Sequence, residues 1–451
     1  MQAEQPEQTL GATRYEWKEY WKSRGMPWRT EPEIDEDQQT YLAGRLAVLP
    51  SFEHGVYPFR DEHGSIKLDR GDLEWMLANH VDAGIVGPVD INDSAHRWRD
   101  GLDLRGADLR DVQLSDLPLE RMRGGASSDE WWFASSHGLR EMAAVHMEGA
   151  RLSRVHLEQA ILRGAHLENA DLGEAHFAGA KCLAMHLEGA NLRQTFFDLE
   201  TLLDGVVLAD RKHVGPWIVD TRWNGVNLME IDWTHVDILS DEKQARDRFC
   251  ATFWVRDPNT GEDLRACEAS LEQPATISDR AKQLIAETPK KAIAVRRLES
   301  YQASAKAYRQ LAQAFTSQGN RDDADRFAYR ALHCERAALR LQRRFGRWFF
   351  SCLLDVISGY GYKPFRSVLT YTITIAAFAV AFLWAAHGGS SHLSWDESVV
   401  LSISSFHGRG FFPSTFSLGD TLARIAASEA VVGLLIEITF IATFTQRFFA
   451  R

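Results

Sequence analysis

Large apolar residues recur every five positions through the first half of the chain. One run continues without a break over eleven units, and two shorter runs bring the total to eighteen. A small residue usually stands two positions earlier, as at Ala150, Ala160 and Ala170. A five-residue period fits neither a helix of 3.6 residues per turn nor a strand, so the region needs another fold. The apolar positions are Leu104, Leu109, Leu114 and Leu119; Met147, Leu152, Leu157, Leu162, Leu167, Leu172, Phe177, Cys182, Leu187, Leu192 and Phe197; and Leu228, Trp233 and Ile238.

The segments GADLR, GARLS, ENADLG and GANLR resemble the pentapeptide-repeat family. The resemblance implies a right-handed quadrilateral β-helix with four units per turn, in which the large residue and the preceding alanine point inward. Successive coils would rise by about 4.8 Å, the spacing of paired strands. We assign residues 101–240 to this β-helix, with an inserted loop at 120–145.

Five histidines occur every ten residues, each just before an inward position. With four units per turn, alternate histidines lie on the same face, so two stacks with neighbours about 5 Å apart are expected. Stacked imidazoles repel when protonated and can chelate when neutral, which would make a pH or metal sensor. The alternative is duplication of a solvated position, and we assign no metal ion or other cofactor. The five are His146, His156, His166, His176 and His186.

Two further segments flank the predicted β-helix. Residues 1–100 carry no catalytic motif, and we interpret them as a cap, because solenoids need protected ends. Residues 241–345 are rich in helix-forming patterns, with a hairpin broken at Gly319-Asn320 that resembles a tetratricopeptide hairpin. We interpret 241–345 as a helical linker that transmits a mechanical signal.

Charge is distributed unevenly along the chain. The net charge of -11 argues against nucleic acid as a partner. Residues 279–347 nonetheless contain 16 Lys and Arg against 7 Asp and Glu. A basic segment directly before an apolar one suits the anionic inner leaflet of a membrane. The next segment, 346–366, has a short apolar face and is interpreted as an interfacial helix.

Residues 367–451 predict a membrane module. The stretches 367–386 and 425–445 are long enough to span about 30 Å of hydrocarbon. Cationic residues precede the first and follow the second, so the positive-inside rule places both termini in the cytoplasm of a protein of the inner (plasma) membrane. Between the spans, Ser394 and Glu397 form a capping box that predicts a helix of about eleven residues, half a bilayer long.

A half-length helix followed by Gly-rich backbone is typical of a pore loop, here 394–413, whereas the alternative is an external amphipathic loop. The order of span, pore helix, SFHGRGFFP and span resembles the two-helix pore-loop channels of the potassium-channel superfamily. The resemblance implies a homotetramer, a filter that replaces the ion's water shell, and a hinge at Gly433, for which close packing is an equal explanation. The family's TVGYGD is replaced, so potassium selectivity is not expected. The filter candidates are Ser405, Phe406, His407, Gly408, Arg409 and Gly410, followed by Pro413.

Two carboxylates, Glu429 and Glu437, lie within the second predicted span. They and the negative C-terminal end of the pore helix favour cations, whereas Arg409 favours anions. A Glu429–Arg409 pair would neutralise the arginine, since a buried charge needs a partner. We therefore expect weak cation selectivity, and an anion-selective channel is the alternative.

The leading hypothesis is a multidomain ion channel subunit: a β-helix, a helical linker and a two-helix transmembrane pore-loop domain. Its partners would be further copies of the chain, membrane lipids, inorganic ions and a cytoplasmic protein. The alternative is a membrane-anchored interaction scaffold without conduction, which would need neither the capping box nor the intramembrane carboxylates. An enzyme is not expected, because the sequence has no nucleophile elbow, phosphate-binding loop or dinucleotide fingerprint.

Overall fold

The structure is a computed structural model that describes residues 14–133, 137–246, 254–256, 263–265, 290–387, 393–408 and 420–448. Packing divides the chain into two compact units, Met1–Ala324 and Asp325–Arg451. The first unit contains the repeats, and the second contains the two long apolar helices.

The segment before the repeats covers the first coil. Strand β2 (Gly64–Lys67) pairs in parallel with β5 (Ala107–Asp108), which belongs to that coil. Arg70 donates to the carbonyl oxygens of Gln113 and Ser115 at 3.1 and 3.0 Å, so these backbone groups have partners. The other elements of this segment are α1 (Arg14–Ser23), α2 (Glu36–Leu46), β1 (Arg60–Asp61), α3 (Arg70–Ala78), β3 (Val81–Asp82) and β4 (Ile85–Val86).

The repeat region is a four-sided β-helix. Between residues 146 and 196, a short stretch of each unit pairs in parallel with the stretch twenty residues later, as His156 does with His176 and Ile161 with Lys181. The offset is 38 residues across the insertion and 21 or 26 residues in the last pairs. Four five-residue units therefore complete one coil, and we number the four faces in chain order. Face 1 contains Asp103, Arg123, Ile161, Lys181 and Leu202; face 2 Asp108, His146, His166, His186 and Val207; face 3 Gln113, Arg151, Asp171, Asn191 and Trp217; and face 4 Pro118, His156, His176, Phe196 and Arg222.

The interior of the β-helix is filled by the apolar residues of each unit. Leu152, Leu157 and Ala160 are fully buried. From Leu104 to Leu192, the turns between units place the residue two positions after the large one in the left-handed region, as at Gly149 (φ 70°) and Arg154 (φ 56°). Glycine suits this corner, because a β-carbon is strained there. The β-helix that the repeats imply is thereby confirmed.

The insertion is shorter than the predicted loop 120–145, and it contains helices. Backbone pairing continues to Gly124, whose N–H donates to the carbonyl oxygen of Ile161 at 2.8 Å. The chain then forms α4 (Ser128–Phe133) and α5 (His137–Ala143) and rejoins face 2 at His146. Met122 is buried in the interior, so the five-residue pattern extends beyond residue 120.

The far end of the β-helix is covered by a long helix, α7 (Lys290–Ser317). Tyr308 of α7 donates to Glu242 at 2.7 Å and accepts from the N–H of Leu239 at 2.9 Å. Phe315 packs edge-on against Trp233, with ring centroids 5.6 Å apart. The predicted linker 241–345 is therefore divided, because α7 is part of the first unit. The elements before α7 are β6 (Val214–Gly215), β7 (Ile238–Leu239), α6 (Ser240–Arg246), β8 (Trp254–Arg256) and β9 (Asp263–Arg265).

The second unit is helical in its described part. Two of its helices contain stretches of mean hydropathy 2.0, Phe365–His387 and Thr421–Ala442, which are long and apolar enough to cross a membrane. Only 11% and 22% of these stretches are buried, unlike the core helix of a soluble protein. The helices are α8 (Arg321–Leu341), whose first residues belong to the first unit, α9 (Phe345–Ser358), α10 (Pro364–His387), α11 (Trp395–Phe406) and α12 (Thr421–Phe448).

Candidate functional sites

Helix α11 lies between α10 and α12 and is half their length. It begins at the predicted capping box: the side chain of Ser394 accepts from the N–H of Glu397, and the side chain of Glu397 accepts from the N–H of Ser394. Leu401, in the middle of α11, packs with Phe382 of α10 and with Leu422 near the start of α12. The helix therefore starts beside the end of α10 and the beginning of α12.

The other end of α11 lies deep between the two long helices. Phe406, its last residue, is buried with Ile436 of α12 and Ile357 of α9. Its ring also meets the ring of Tyr371 edge-on, with centroids 4.9 Å apart. Tyr371 is in the first third of α10, whereas Phe382 is in the last third. Helix α11 therefore runs back alongside α10 and ends well inside the helical pair.

A glycine of α12 permits this depth. A β-carbon on Gly433 would lie 2.1 Å from the carbonyl oxygen of Phe406, far inside van der Waals contact. Only glycine allows the two backbones to approach so closely. Of the two roles considered for Gly433, the geometry therefore supports close packing, and the hinge stays a prediction.

Glu429 is fully buried against α11. Its carboxyl group contacts the hydroxyl group of Ser402, whose oxygen also lies 3.0 Å from the carbonyl oxygen of Ile375. A hydroxyl group has one hydrogen, so both contacts are satisfied together when Glu429 is protonated and donates to Ser402. The predicted partner, Arg409, lies outside the described residues, so the expected Glu429–Arg409 pair is not tested.

The residue after α11 connects both long helices. Nδ1 of His407 pairs with Glu437 of α12, and Nε2 lies 3.1 Å from the hydroxyl group of Tyr371 of α10. Gly408 follows with φ 64°, which turns the chain away from the helix. Ser405 is buried. The remaining filter candidates Arg409 and Gly410, together with Pro413, lie outside the described residues.

A second polar cluster, which was not predicted from the sequence, surrounds Asp355 of α9. Asp355 accepts hydrogen bonds from Arg336 at 2.6 Å and Tyr329 at 2.8 Å, both on α8, and from Arg366 of α10 at 3.4 Å. Burial alone would raise the pKa of Asp355, but the bonds from Arg336 and Tyr329 and the nearby His333 outweigh it and lower that pKa. A single acid in the apolar run FGRWFFSCLLDVIS was the available signal.

The five histidines form two stacks on opposite faces of the β-helix. On face 2 the ring centroids of His146 and His166 are 4.8 Å apart, and those of His166 and His186 are 4.7 Å apart. On face 4 those of His156 and His176 are 5.0 Å apart. The ten-residue spacing thus places the rings in two stacks, while their role as a sensor stays a prediction.

His166 differs from the other members of its stack. Its Nδ1 lies 3.0 Å from Glu168 and its Nε2 lies 3.0 Å from Glu141 of α5. Burial alone would lower the pKa of His166, but the hydrogen bonds and charges of Glu168 and Glu141 raise it to about 9. The ring is therefore an imidazolium at neutral pH, and the inserted helices supply one of its two counter-charges.

The corner glycines, the buried alanines and the five-residue register agree with one family. The family described as Pentapeptide repeats matches residues 150–197 in eight copies. These units are pentapeptide repeats. No curated protein matches the chain.

Several solved structures of pentapeptide-repeat proteins are similar to this chain. One from the cyanobacterium Cyanothece 51142 (Rfr23) is 20% identical, covers 27% of this chain and 91% of its own, with a TM-score of 0.15. One from the Arabidopsis thaliana thylakoid lumen is 17% identical, and the match covers 36% of this chain and 81% of that protein, with a TM-score of 0.14. A third is HetL from Nostoc sp. strain PCC 7120, which is described as involved in heterocyst differentiation regulation. It is 21% identical, and the match covers 26% of this chain and 61% of that protein, with a TM-score of 0.11. Scores this low support no functional inference about this chain.

Proposed function

We propose that the chain is a subunit of an oligomeric ion channel in the inner (plasma) membrane, with both termini in the cytoplasm. Helices α10, α11 and α12 form the pore module, and the pentapeptide-repeat domain regulates it or scaffolds a cytoplasmic partner. The observation that carries the proposal is a capped, half-length helix that ends deep between two apolar helices. Backbone that leaves a helix at membrane depth must be buried in protein or line a water-filled cavity.

The pore needs several copies of the chain. Helix α11 packs against both α10 and α12, so the proposed ion path lies between copies of the chain rather than within one. Large apolar side chains of α12 are exposed in one copy and require lipid or a neighbouring subunit as cover. Four copies follow from the resemblance to pore-loop channels. The exposed residues of α12 include Val431, Leu434, Ile438 and Ile441.

Weak cation selectivity is the preference we propose. The C-terminal end of α11 carries a partial negative charge. Glu437 pairs with His407, the residue that follows α11. Arg409 comes two residues later and favours anions. The triplet Gly359–Gly361 has the letters of a potassium filter, but it forms a short 3-10 helix before α10 and has no part in the pore loop.

Single-channel recording tests the proposal. Purified full-length protein would be placed in planar bilayers under asymmetric KCl, with Arg409→Ala and the control Arg347→Ala, which removes an exposed charge at the start of α9. We expect discrete openings, and we expect Arg409→Ala alone to move the reversal potential towards that of potassium, because a fixed positive charge leaves the ion path. Silence from a verified oligomer at several pH values and voltages would overturn the proposal in favour of a membrane-anchored scaffold.

A further inference from the structure

Face 4 of the β-helix holds a compact group of metal-ligating side chains. One ligand atom from each of Glu120, His156 and Glu158 lies within 4.8 Å of the other two. Nδ1 of His156 is 3.0 Å from Oε1 of Glu158. The two carboxylates are 9% and 8% exposed, so neither is solvated like an ordinary surface acid. The group therefore combines one imidazole with two nearly buried carboxylates.

Both carboxylates have an oxygen that needs a partner. Oε2 of Glu120 and Oε2 of Glu158 are buried and have no hydrogen-bond partner among the described residues. A buried carboxylate oxygen without a donor or a cation is costly, because it has lost its water. Two such oxygens beside the same imidazole indicate that the group is completed by a cation.

We propose that Glu120, His156 and Glu158 bind one divalent transition-metal ion of the Zn²⁺ class. Imidazole nitrogen and carboxylate oxygen are ordinary Zn²⁺ ligands at about 2.0–2.2 Å, which sets the donor atoms of a tetrahedron about 3.3–3.6 Å apart. The Nδ1–Oε1 distance of 3.0 Å between His156 and Glu158 would have to lengthen slightly, and any separation near the 4.8 Å limit would have to shorten, to reach that geometry. His176 stacks on His156, and its Nδ1 is 3.8 Å from Glu158, so it supplies the fourth ligand or leaves that position to water.

Face 2 offers a comparison within the same domain. The groups His146–Glu148–His166 and His166–Glu168–His186 meet the same distance criterion. Their shared ring, His166, has carboxylate oxygens 3.0 Å from both of its nitrogens, one of them from Glu141. Glu141 belongs to neither group, whereas the carboxylate beside His156 is that of Glu158, itself a member of the face 4 group. Oε2 of Glu148 and of Glu168 also has no partner among the described residues, but each face 2 group has one such oxygen where the face 4 group has two. The proposal therefore assigns the ion to face 4, and face 2 serves as the control.

The ion would join consecutive coils. Pro118 pairs with His156, and His156 pairs with His176, so the ligands come from successive levels of face 4. The helical insertion lies between Glu120 and His156 in the chain. A bound ion would therefore tie the coil before the insertion to the coil after it. Binding to the folded state alone raises the thermal midpoint by mass action.

Zinc binding to the full-length, detergent-solubilised protein tests the proposal independently of conduction. After removal of metals with a chelator, isothermal titration with ZnCl₂ would be compared among wild type, Glu158→Gln, His156→Gln and the matched face 2 variant Glu168→Gln. We expect one Zn²⁺ per chain and an affinity about 100-fold or more weaker for the two face 4 variants. Glu168→Gln should bind as wild type does. Substitution by Co²⁺ should give a visible absorption band that only the face 4 variants lose.

Two results would overturn the inference. One is zinc binding that survives in both face 4 variants, which would indicate ions held elsewhere. The other is an equal loss in Glu168→Gln. Far-ultraviolet circular dichroism and melting in chelator establish that each variant folds. If Glu158→Gln fails that check, Glu120→Gln, which alters a different coil, takes its place with the same expected loss.

Discussion

Gly433 of α12 lies directly against the carbonyl group of Phe406. A β-carbon at position 433 would lie only 2.1 Å from that oxygen, so there is no room for one. Phe406 is the last residue of α11, so this contact fixes the depth at which the half-length helix ends. Any side chain at position 433 must push α11 away from α12, because both atoms in the contact belong to helical backbone.

Substitution Gly433→Ala should destabilise the second unit by about 1–3 kcal/mol, the usual cost of overpacking a close contact. The control is Gly346→Ala in the first turn of α9, where nothing lies within 4 Å of an added β-carbon. That change should be neutral or slightly stabilising, because alanine is the better helix former. Thermal unfolding in detergent gives both values, and equal effects would contradict the packing role of Gly433.

Ser402→Ala should cost about 1–3 kcal/mol, because it removes the partner of the buried Glu429 carboxyl group. Ser398→Ala on the same helix is the matched control. The hydroxyl group of Ser398 is equally buried, but it donates to Ser394 at 3.0 Å within its own helix turn. Denaturant unfolding in detergent compares them, and a loss for Ser398→Ala as large as that for Ser402→Ala would argue against the pairing with Glu429.

The β-helix should lose stability as pH rises through about 9. His166 has its pKa raised to about 9, so its contribution is fully present below its unfolded value of about 6.5 and is lost above the folded value. The shift corresponds to about 3 kcal/mol. Melting of the full chain in chelator from about pH 6 to pH 10 measures it. His166→Gln should reduce this dependence, although His156 and His186, whose pKa values are also raised by neighbouring glutamates, keep part of it. His63→Gln, at an exposed position, should leave it unchanged.

Asp355 and Arg336 should be energetically coupled. Their charged hydrogen bond of 2.6 Å joins α8 to α9, and a double-mutant cycle with Asp355→Asn and Arg336→Gln should give a coupling free energy of about 1–2 kcal/mol. The pKa of Asp355 is lowered, so the coupling should persist at neutral pH and fade as pH falls below the usual range of a carboxyl group. Strictly additive losses at neutral pH would show that the contact contributes nothing.

The β-helix was predictable because its corner geometry imposes the five-residue period on the sequence itself. The five-residue spacing alone predicts that Leu152 and Ala160 are buried, and both are. The end of the first run was misplaced, because Met122 stands in a Gly-rich stretch with no clear unit after it. The histidine stacks followed from the same period, whereas the bond between His166 and Glu141 depends on how the inserted helices fold back.

The second unit was predictable in its elements and less so in its contacts. Ser394 and Glu397 fix the start of α11 through local hydrogen bonds, which a sequence encodes directly. The partner of Glu429 is 27 positions away, and those of Asp355 are 11 to 26 positions away. Packing between helices determines these pairings. Pairings of this kind leave no periodic signal in a single sequence.

The pairing of residues twenty positions apart makes the β-helix modular in steps of one coil. Deleting residues 161–180 would remove one level of every face and still place His186 against His146. Deleting only residues 161–165 would shift every later side chain to the neighbouring face and separate His166 from His146 and His176 from His156. The β-helix can therefore be shortened or lengthened only by whole coils if the side chains on each face, including the stacked histidines, are to stay aligned.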